Sequence, residues 1–181
     1  MKKLLLCFTL FFCFKSGHTQ IGLLDPSFGK NGIVTTDMGA RFKYNSSARQ
    51  VLIHPDGSIY ISLNGSFGGT TILKRLPDGA LDSSFGINGY SKAIASLVEA
   101  FVAFQPDGKI IIAGSNNTGT GLSGIARLDT DGLPDTTFGE NAFLSTTFKP
   151  ISVAIQTDGK IVIAGSSAIP GFLVARYNIN G

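Results

Sequence analysis

The chain has 181 residues, with 15 basic and 12 acidic side chains, two cysteines, two histidines, 23 glycines and no tryptophan. Lys2, Lys3, Lys15, Cys7 and Cys13 all fall within the first nineteen residues, so the remainder balances 12 basic against 12 acidic side chains and has no thiol. That excludes a disulfide framework or a cysteine-ligated metal in the remainder, and its neutrality argues against nucleic acid as a partner.

Lys2 and Lys3 precede an apolar run over 4–14, and polar and small residues follow over 15–20. This is the layout of a secretory signal peptide covering 1–19, with a cut expected between Thr19 and Gln20. Export is therefore expected, to the medium or the cell surface. The run is too short to cross a bilayer about 30 Å thick as a helix, so no membrane span is expected once the leader is removed. A lipid anchor on Cys13 is the poorer reading, because Phe12 stands where a small residue is needed.

Beyond the leader the chain repeats itself. The first element is Leu24-Asp25-Pro26-Ser27-Phe28-Gly29, followed by a predicted strand over 32–36. Next come an apolar run over 51–53, the turn Pro55-Asp56-Gly57, a second run over 59–61 and a third strand over 72–76. The opening element then returns as Leu81-Asp82-Ser83-Ser84-Phe85-Gly86, with a strand expected over 89–95. A second round runs through 102–104, Pro106-Asp107-Gly108, 110–112 and 125–128 to Pro134-Asp135-Thr136-Thr137-Phe138-Gly139 and a strand over 142–147. The last round has 153–155, Thr157-Asp158-Gly159, 161–163 and 173–177. The Asp-Gly pairs begin at 56, 107 and 158, a step of 51 each time.

Pro-Asp-Gly between two apolar runs makes a tight hairpin: proline presets the first corner, aspartate tolerates the second, and glycine takes the left-handed position. Continuous β-branched runs such as Ile110-Ile111-Ile112 imply strands covered on both faces. No helical period stands out beyond the leader. Four strands per unit of about fifty residues describe a β-propeller blade, whose neighbours supply the cover. The predicted fold is all-β, with four-stranded antiparallel blades near 48–95, 99–147 and 150–181, and 32–36 as a preceding fourth strand. A right-handed β-solenoid is the alternative. Three blades fall short of the usual 4–8, so the propeller is expected to be incomplete, needing neighbouring repeats or additional blades for closure. A piece of a longer protein is the first expectation, and two copies closing a six-bladed ring the second.

These residues resemble the delta-60 repeat, a bacterial β-propeller-like family. Its consensus is similar to a strand, Gln-Pro-Asp-Gly-Lys-Ile-Val-Val-Ala-Gly, a gap, Ala-Arg-Tyr-Asn-x-Asp-Gly, and Leu-Asp-x-x-Phe-Gly. The likeness is tightest over 105–114, 156–165 and 175–181. The first unit departs most, with His54 for Gln, Ser58 for Lys, and Lys74 ahead of Arg75. The resemblance implies export, often in long arrays on large surface proteins. It ties the repeat to no single activity and supplies no catalytic residues.

The residues that recur are expected to be structural. His54 stands where the other copies have Gln105 and Gln156, beside a turn. Asp56, Asp107 and Asp158 each stand alone in a hairpin, whereas calcium takes 6–8 oxygens. Arg75, Arg127 and Arg176 are expected to pair with Asp25, Asp82 and Asp135, and Phe28, Phe85 and Phe138 to plug the seams between blades. Glu99 and Glu140, the only glutamates, fall in non-equivalent places and give no paired-carboxylate site. No catalytic, cofactor-binding or metal-binding residue is assigned.

The connections that differ between copies are the expected binding positions: 64–69, 116–124, 166–171 and the link 37–47 with Arg41, Phe42, Lys43 and Tyr44. The function expected is a non-enzymatic surface display, binding or adhesion module for an unknown protein or glycan. The alternative is a part of a propeller hydrolase or lyase whose catalytic residues lie outside this chain. A spacer in an array is a third reading.

Overall fold

Each of the three Asp-Gly turns closes with the same hydrogen bonds. His54, Gln105 and Gln156 donate their amides to the carbonyls of Ser58, Lys109 and Lys160, each at 2.9 Å, and their own carbonyls accept from Gly57, Gly108 and Gly159. The glycines take φ of 85°, 83° and 81°, where a Cβ would be strained. The side chains of Asp56, Asp107 and Asp158 accept the amide two residues on, which fixes the corner.

These turns organise a computed structural model that describes residues 22–37, 47–65, 69–91, 97–98, 100–115, 122–167 and 171–181. The leader and its cut site lie outside them. Among the described residues there is no helix, and ten strands form three antiparallel sheets, none of them closed. The first sheet holds β1 (Ser47–Ile53), β2 (Ile59–Gly65) and β3 (Gly69–Arg75), in that order. The second runs β4 (Phe101–Phe104), β5 (Ile110–Ser115), β6 (Ser123–Leu128), β7 (Phe143–Ser145). In the third, β8 (Lys149–Ile155), β9 (Ile161–Ser166) and β10 (Phe172–Tyr177) follow as a meander.

Fourth strands are where the structure departs from expectation. Only β7 forms a ladder, pairing Leu144 with Ile125. The predicted strand over 89–95 is reduced, within the described residues, to a bridge between Leu73 and Tyr90, and 92–96 lie outside them. Over 32–36 there is no strand: Ile33 bridges back to Lys30, and 34–36 pair with no strand among the described residues. The reason is physical: a fourth strand needs the third strand of its own blade, and none lies beside 32–36.

The core sits between sheets. β5 is buried along its whole length, and its alternating side chains face two different neighbours. Ile110 and Ile112, with Val102, Ala126 and Leu128, pack against Tyr60, Ile72 and Phe85 of the first repeat. Ile111, Ala113 and Ile125 pack against Phe148, Ile161 and Ile163 of the third. Each fully buried isoleucine is worth roughly 1.5–3 kcal/mol, so covering both faces of the middle sheet supplies much of the stability. A strand pattern with no polar alternation is the direct sequence mark of that two-sided burial. On the third sheet only one face is covered, and β10 alternates accordingly, with Phe172 89% and Val174 61% exposed.

Candidate functional site: the blade seams and the hairpin cleft

The charged residues of the repeat converge on the seams. Arg127, fully buried on β6, donates from Nε to Asp135 Oδ2 at 2.8 Å and lies over the Phe138 ring at 4.8 Å. Its Nη1 reaches across to the third repeat, donating to the Ile179 carbonyl at 2.7 Å and to Asn180 Oδ1 at 3.2 Å. The same nitrogen meets Gln105 Oε1, and Nη2 reaches Thr137 Oγ1. Gln105, 2% exposed, donates in turn to the carbonyls of Gly159 and Ile179. One guanidinium thereby ties the end of β6, its own following turn and the last turn of the next blade, a use suited to its rigid fork of donors.

Burial alone would raise the Asp135 carboxyl. The Thr137 hydroxyl, the Lys109 ammonium at 2.9 Å, the Thr137 amide and Arg127 outweigh it and hold the group well below the ordinary carboxylate range. In the first repeat, Asp82 is likewise lowered, by the Ser84 hydroxyl first and then by Lys74, whose Nζ lies 2.9 Å away.

That last contact corrects the sequence alignment of the arginines. β2 pairs Tyr60 with Lys74, while β5 pairs Ile111 with Arg127 and β9 pairs Val162 with Arg176. The cation equivalent to Arg127 and Arg176 is therefore Lys74, which also sits over the Phe85 ring at 5.9 Å. Five residues separate Arg127 from Gly132 and Arg176 from Gly181, but only four separate Arg75 from Gly79. Counted back from the turn glycine, Lys74 stands where Arg127 and Arg176 stand, so the turns are equal in length. Arg75 lies one position further on, where a side chain faces the opposite side of the sheet. Arg75 accordingly points away from Asp82, donating to the Gly79 carbonyl at 2.7 Å and to Thr36 Oγ1. Of the three expected Arg–Asp pairs, only Arg127–Asp135 forms. Asp25 holds Ser27, and Arg176 is exposed without an ion pair among the described residues.

Each Phe-Gly element docks on the turn of the repeat that follows it. Gly29, Gly86 and Gly139 donate their amides to the carbonyls of Asp78, Asp131 and Asn180, at 3.0, 2.6 and 3.2 Å. The rings lie beside the turn glycines: a Cβ at Gly132 would fall 2.6 Å from Phe85, and one at Gly79 would fall 2.9 Å from Phe28. Phe85 and Phe138 are buried as expected of seam plugs, and Phe28 is half-buried. No signal in a single repeat marks Gln105, Lys109 or Lys74 as seam residues; its spacing from the turn glycine is the one available clue to Lys74.

A cleft of about 410 Å³ opens at the hairpin end, between His54, Pro55, Phe104, Gln105, Pro106, Ile155, Gln156 and Thr157. His54 packs edge-on to Phe104, with ring centroids 5.2 Å apart. Its Nδ1 lies 3.0 Å from Asp56 without making a hydrogen bond. The Ser58 amide first, then His54, bring the Asp56 carboxyl down to about 2. Gln105 is occupied in the seam, and Gln156 and Thr157 are the exposed polar side chains of the rim. Among the described residues no three His, Cys, Asp or Glu side chains gather as metal ligands. No helix among them is long and apolar enough to cross a membrane. Of the variable connections, 38–46, 66–68, 116–121 and 168–170 lie outside the described residues, Arg41, Phe42, Lys43 and Tyr44 with them, as does Glu99.

Residues 105–138 and 156–181 match the family model described as a domain of unknown function (DUF5122) beta-propeller. The fold is that of an incomplete β-propeller. Both matched stretches begin at the glutamine of a hairpin; the first ends on the seam phenylalanine, the second on the turn that receives it. The matched pattern is thus the seam described above, seen in sequence. No curated protein matches the chain.

Proposed function

We propose that the chain is an exported, non-enzymatic propeller module of the delta-60 type, acting in surface display, binding or adhesion toward a protein or glycan. The observation that carries the reading is the use of Arg127, Asp135 and Gln105. In the second repeat, the recurring arginine, aspartate and glutamine are spent joining that blade to the third. What the copies share is scaffold, and recognition is left to the connections in which they differ. Export follows from the layout of residues 1–19.

Two measurements test the proposal. Expressed with its leader in a bacterium, the chain is expected outside the cytoplasm, with an intact mass matching a start at Gln20. Cytoplasmic retention at full mass would refute export. Adsorption of the purified chain to a glycan array and to immobilised fibrous matrix proteins should then be lost when Arg41, Phe42, Lys43 and Tyr44 are replaced together by serine. Binding indifferent to that replacement would overturn the assignment of recognition to the link, and turnover of a glycan on the array would overturn the non-enzymatic reading.

A further inference from the structure

The two outer sheets carry complementary halves of one seam. β10 is the edge of its sheet, and the exposed Phe172, Val174 and Arg176 lie on its uncovered face. Pairing register makes Val174 and Arg176 the counterparts of Ile125 and Arg127, which are buried in the seam between the second and third sheets. At the other end, Val51 and Ile53 are exposed at 59% and 63%, although Val102 and Phe104, 51 residues on, are packed in a seam.

The N-terminal element supplies what β10 lacks. Asp82 and Asp135 each hold a cation eight residues upstream on the third strand of their blade. Asp25 is the same residue of the same element, and it is exposed, its carboxylate holding Ser27 alone in the hydrogen bonds and ion pairs of the described residues. Residues 33–35 match Phe143–Ser145 of β7 and lie beside no strand among the described residues, already set in place by Phe28 and Gly29 on the turn of the first repeat. An unpaired edge, an unpaired fourth strand, a cation without an anion and an anion without a cation thus stand at opposite ends of one molecule.

We infer that a second copy of this chain docks head to tail, its Asp25 on Arg176 of the first and its residues 33–35 as the fourth strand beside β10. By the register of β6 with β7, Ile33 faces Ala175, Val34 faces Val174 and Thr35 faces Leu173. Two such contacts close a six-bladed ring, within the usual range of 4–8 blades. The contact is heterologous, each copy carrying both halves, and it closes into a ring if the three blades of one copy turn through half of it. It is independent of what the module binds.

Sedimentation equilibrium of the purified chain should give twice the monomer mass as concentration rises. Asp25→Arg alone and Arg176→Asp alone should each raise the dissociation constant roughly tenfold or more, since each puts like charges in a closed seam. An equimolar mixture of the two variants should recover the pair, because one seam is then native and the other reversed. Circular dichroism of each variant checks that the β fold persists. A monomer at every concentration, an open polymer, or association that ignores either reversal or is not rescued by mixing would overturn the inference.

Discussion

Arg127 and Asp135 meet at 2.8 Å with both side chains buried, and the same guanidinium crosses to the Ile179 carbonyl of the next repeat. Removing it leaves Lys109 on the carboxylate but strips Gln105 Oε1 and Asn180 Oδ1 of the guanidinium, and leaves the Ile179 carbonyl with Gln105 Nε2 alone. Arg127→Ala should therefore cost about 3–5 kcal/mol, as expected for breaking a buried pair. Arg176→Ala, at an exposed site in a dilute monomer, should stay within about 0.5 kcal/mol. Urea unfolding at low protein concentration measures both, and equal costs would refute the difference in seam status.

Acid should weaken the fold through the same carboxylates. Asp82 and Asp135 are held below their ordinary value of 3.8 and Asp56 is brought down to about 2, so the folded chain binds fewer protons than the unfolded one. Their contribution is complete above the unfolded value and is lost as pH falls through the folded values, a window of roughly pH 5 to 2. The urea midpoint should drop across that window. In the Asp82→Asn/Asp135→Asn double variant, which keeps the turn acceptors, the drop should be shallower; an unchanged slope would contradict the assignment.

Ser62 offers a stabilising change. Its hydroxyl is buried on β2 without a hydrogen-bond partner among the described residues, while the position 51 residues later is Ala113, packed in the core. A buried hydroxyl without a partner costs roughly 1–3 kcal/mol in desolvation. Ser62→Ala should raise stability by up to about 1 kcal/mol, the lost packing contacts of the oxygen offsetting part of the gain. A thermal midpoint lower than that of the parent would show that the hydroxyl has found a partner.

Ala142 takes φ of 71° where the earlier repeat has Gly89 at 87°. A left-handed alanine costs roughly 1–2 kcal/mol, offset here by burial of its methyl group, worth about 0.8 kcal/mol. Ala142→Gly should consequently be near neutral. Gly89→Ala adds the backbone cost and sets a Cβ 2.6 Å from Leu81 Cδ1 and 3.2 Å from the Asp82 carbonyl, so it should cost more than about 1 kcal/mol. The two unfolding curves decide whether equivalent backbone sites are equivalent in space.

The strands that could be read in the sequence are those whose signal is local. Ile110-Ile111-Ile112 and Ile161-Val162-Ile163 announce two-sided cover, and the Asp-Gly turns fix where each run reverses. Fourth strands were legible only as parts of a repeat, because 32–36 and 89–95 depend on a neighbouring third strand for every ladder bond. The seam was half legible. Recurrent arginine, aspartate and phenylalanine pointed to it, but Gln105 and Ile179 join it from 22 and 52 residues away from Arg127, a distance at which a linear sequence carries no pairing signal. The expected binding connections fall largely outside the described residues, so their chemistry rests on composition.

Lys74 provides the sharpest check on the seam register. If it holds the place of Arg127, then Asp82 owes part of its lowered pKa to Lys74 and none to Arg75, which points to Thr36 and the Gly79 carbonyl. Lys74→Ala should therefore raise the Asp82 pKa, followed by the carboxyl carbon shift in a pH titration by NMR, and should destabilise the chain by about 1–3 kcal/mol. Arg75→Ala should destabilise comparably, because it leaves the Gly79 carbonyl short of a donor at a buried site, yet leave the Asp82 titration where it was. Lys74→Arg should preserve both readouts, since the same site accepts a guanidinium in the second repeat. An Asp82 titration that moves with Arg75 and ignores Lys74 would restore the register read from sequence and remove the equivalence on which the seam rests.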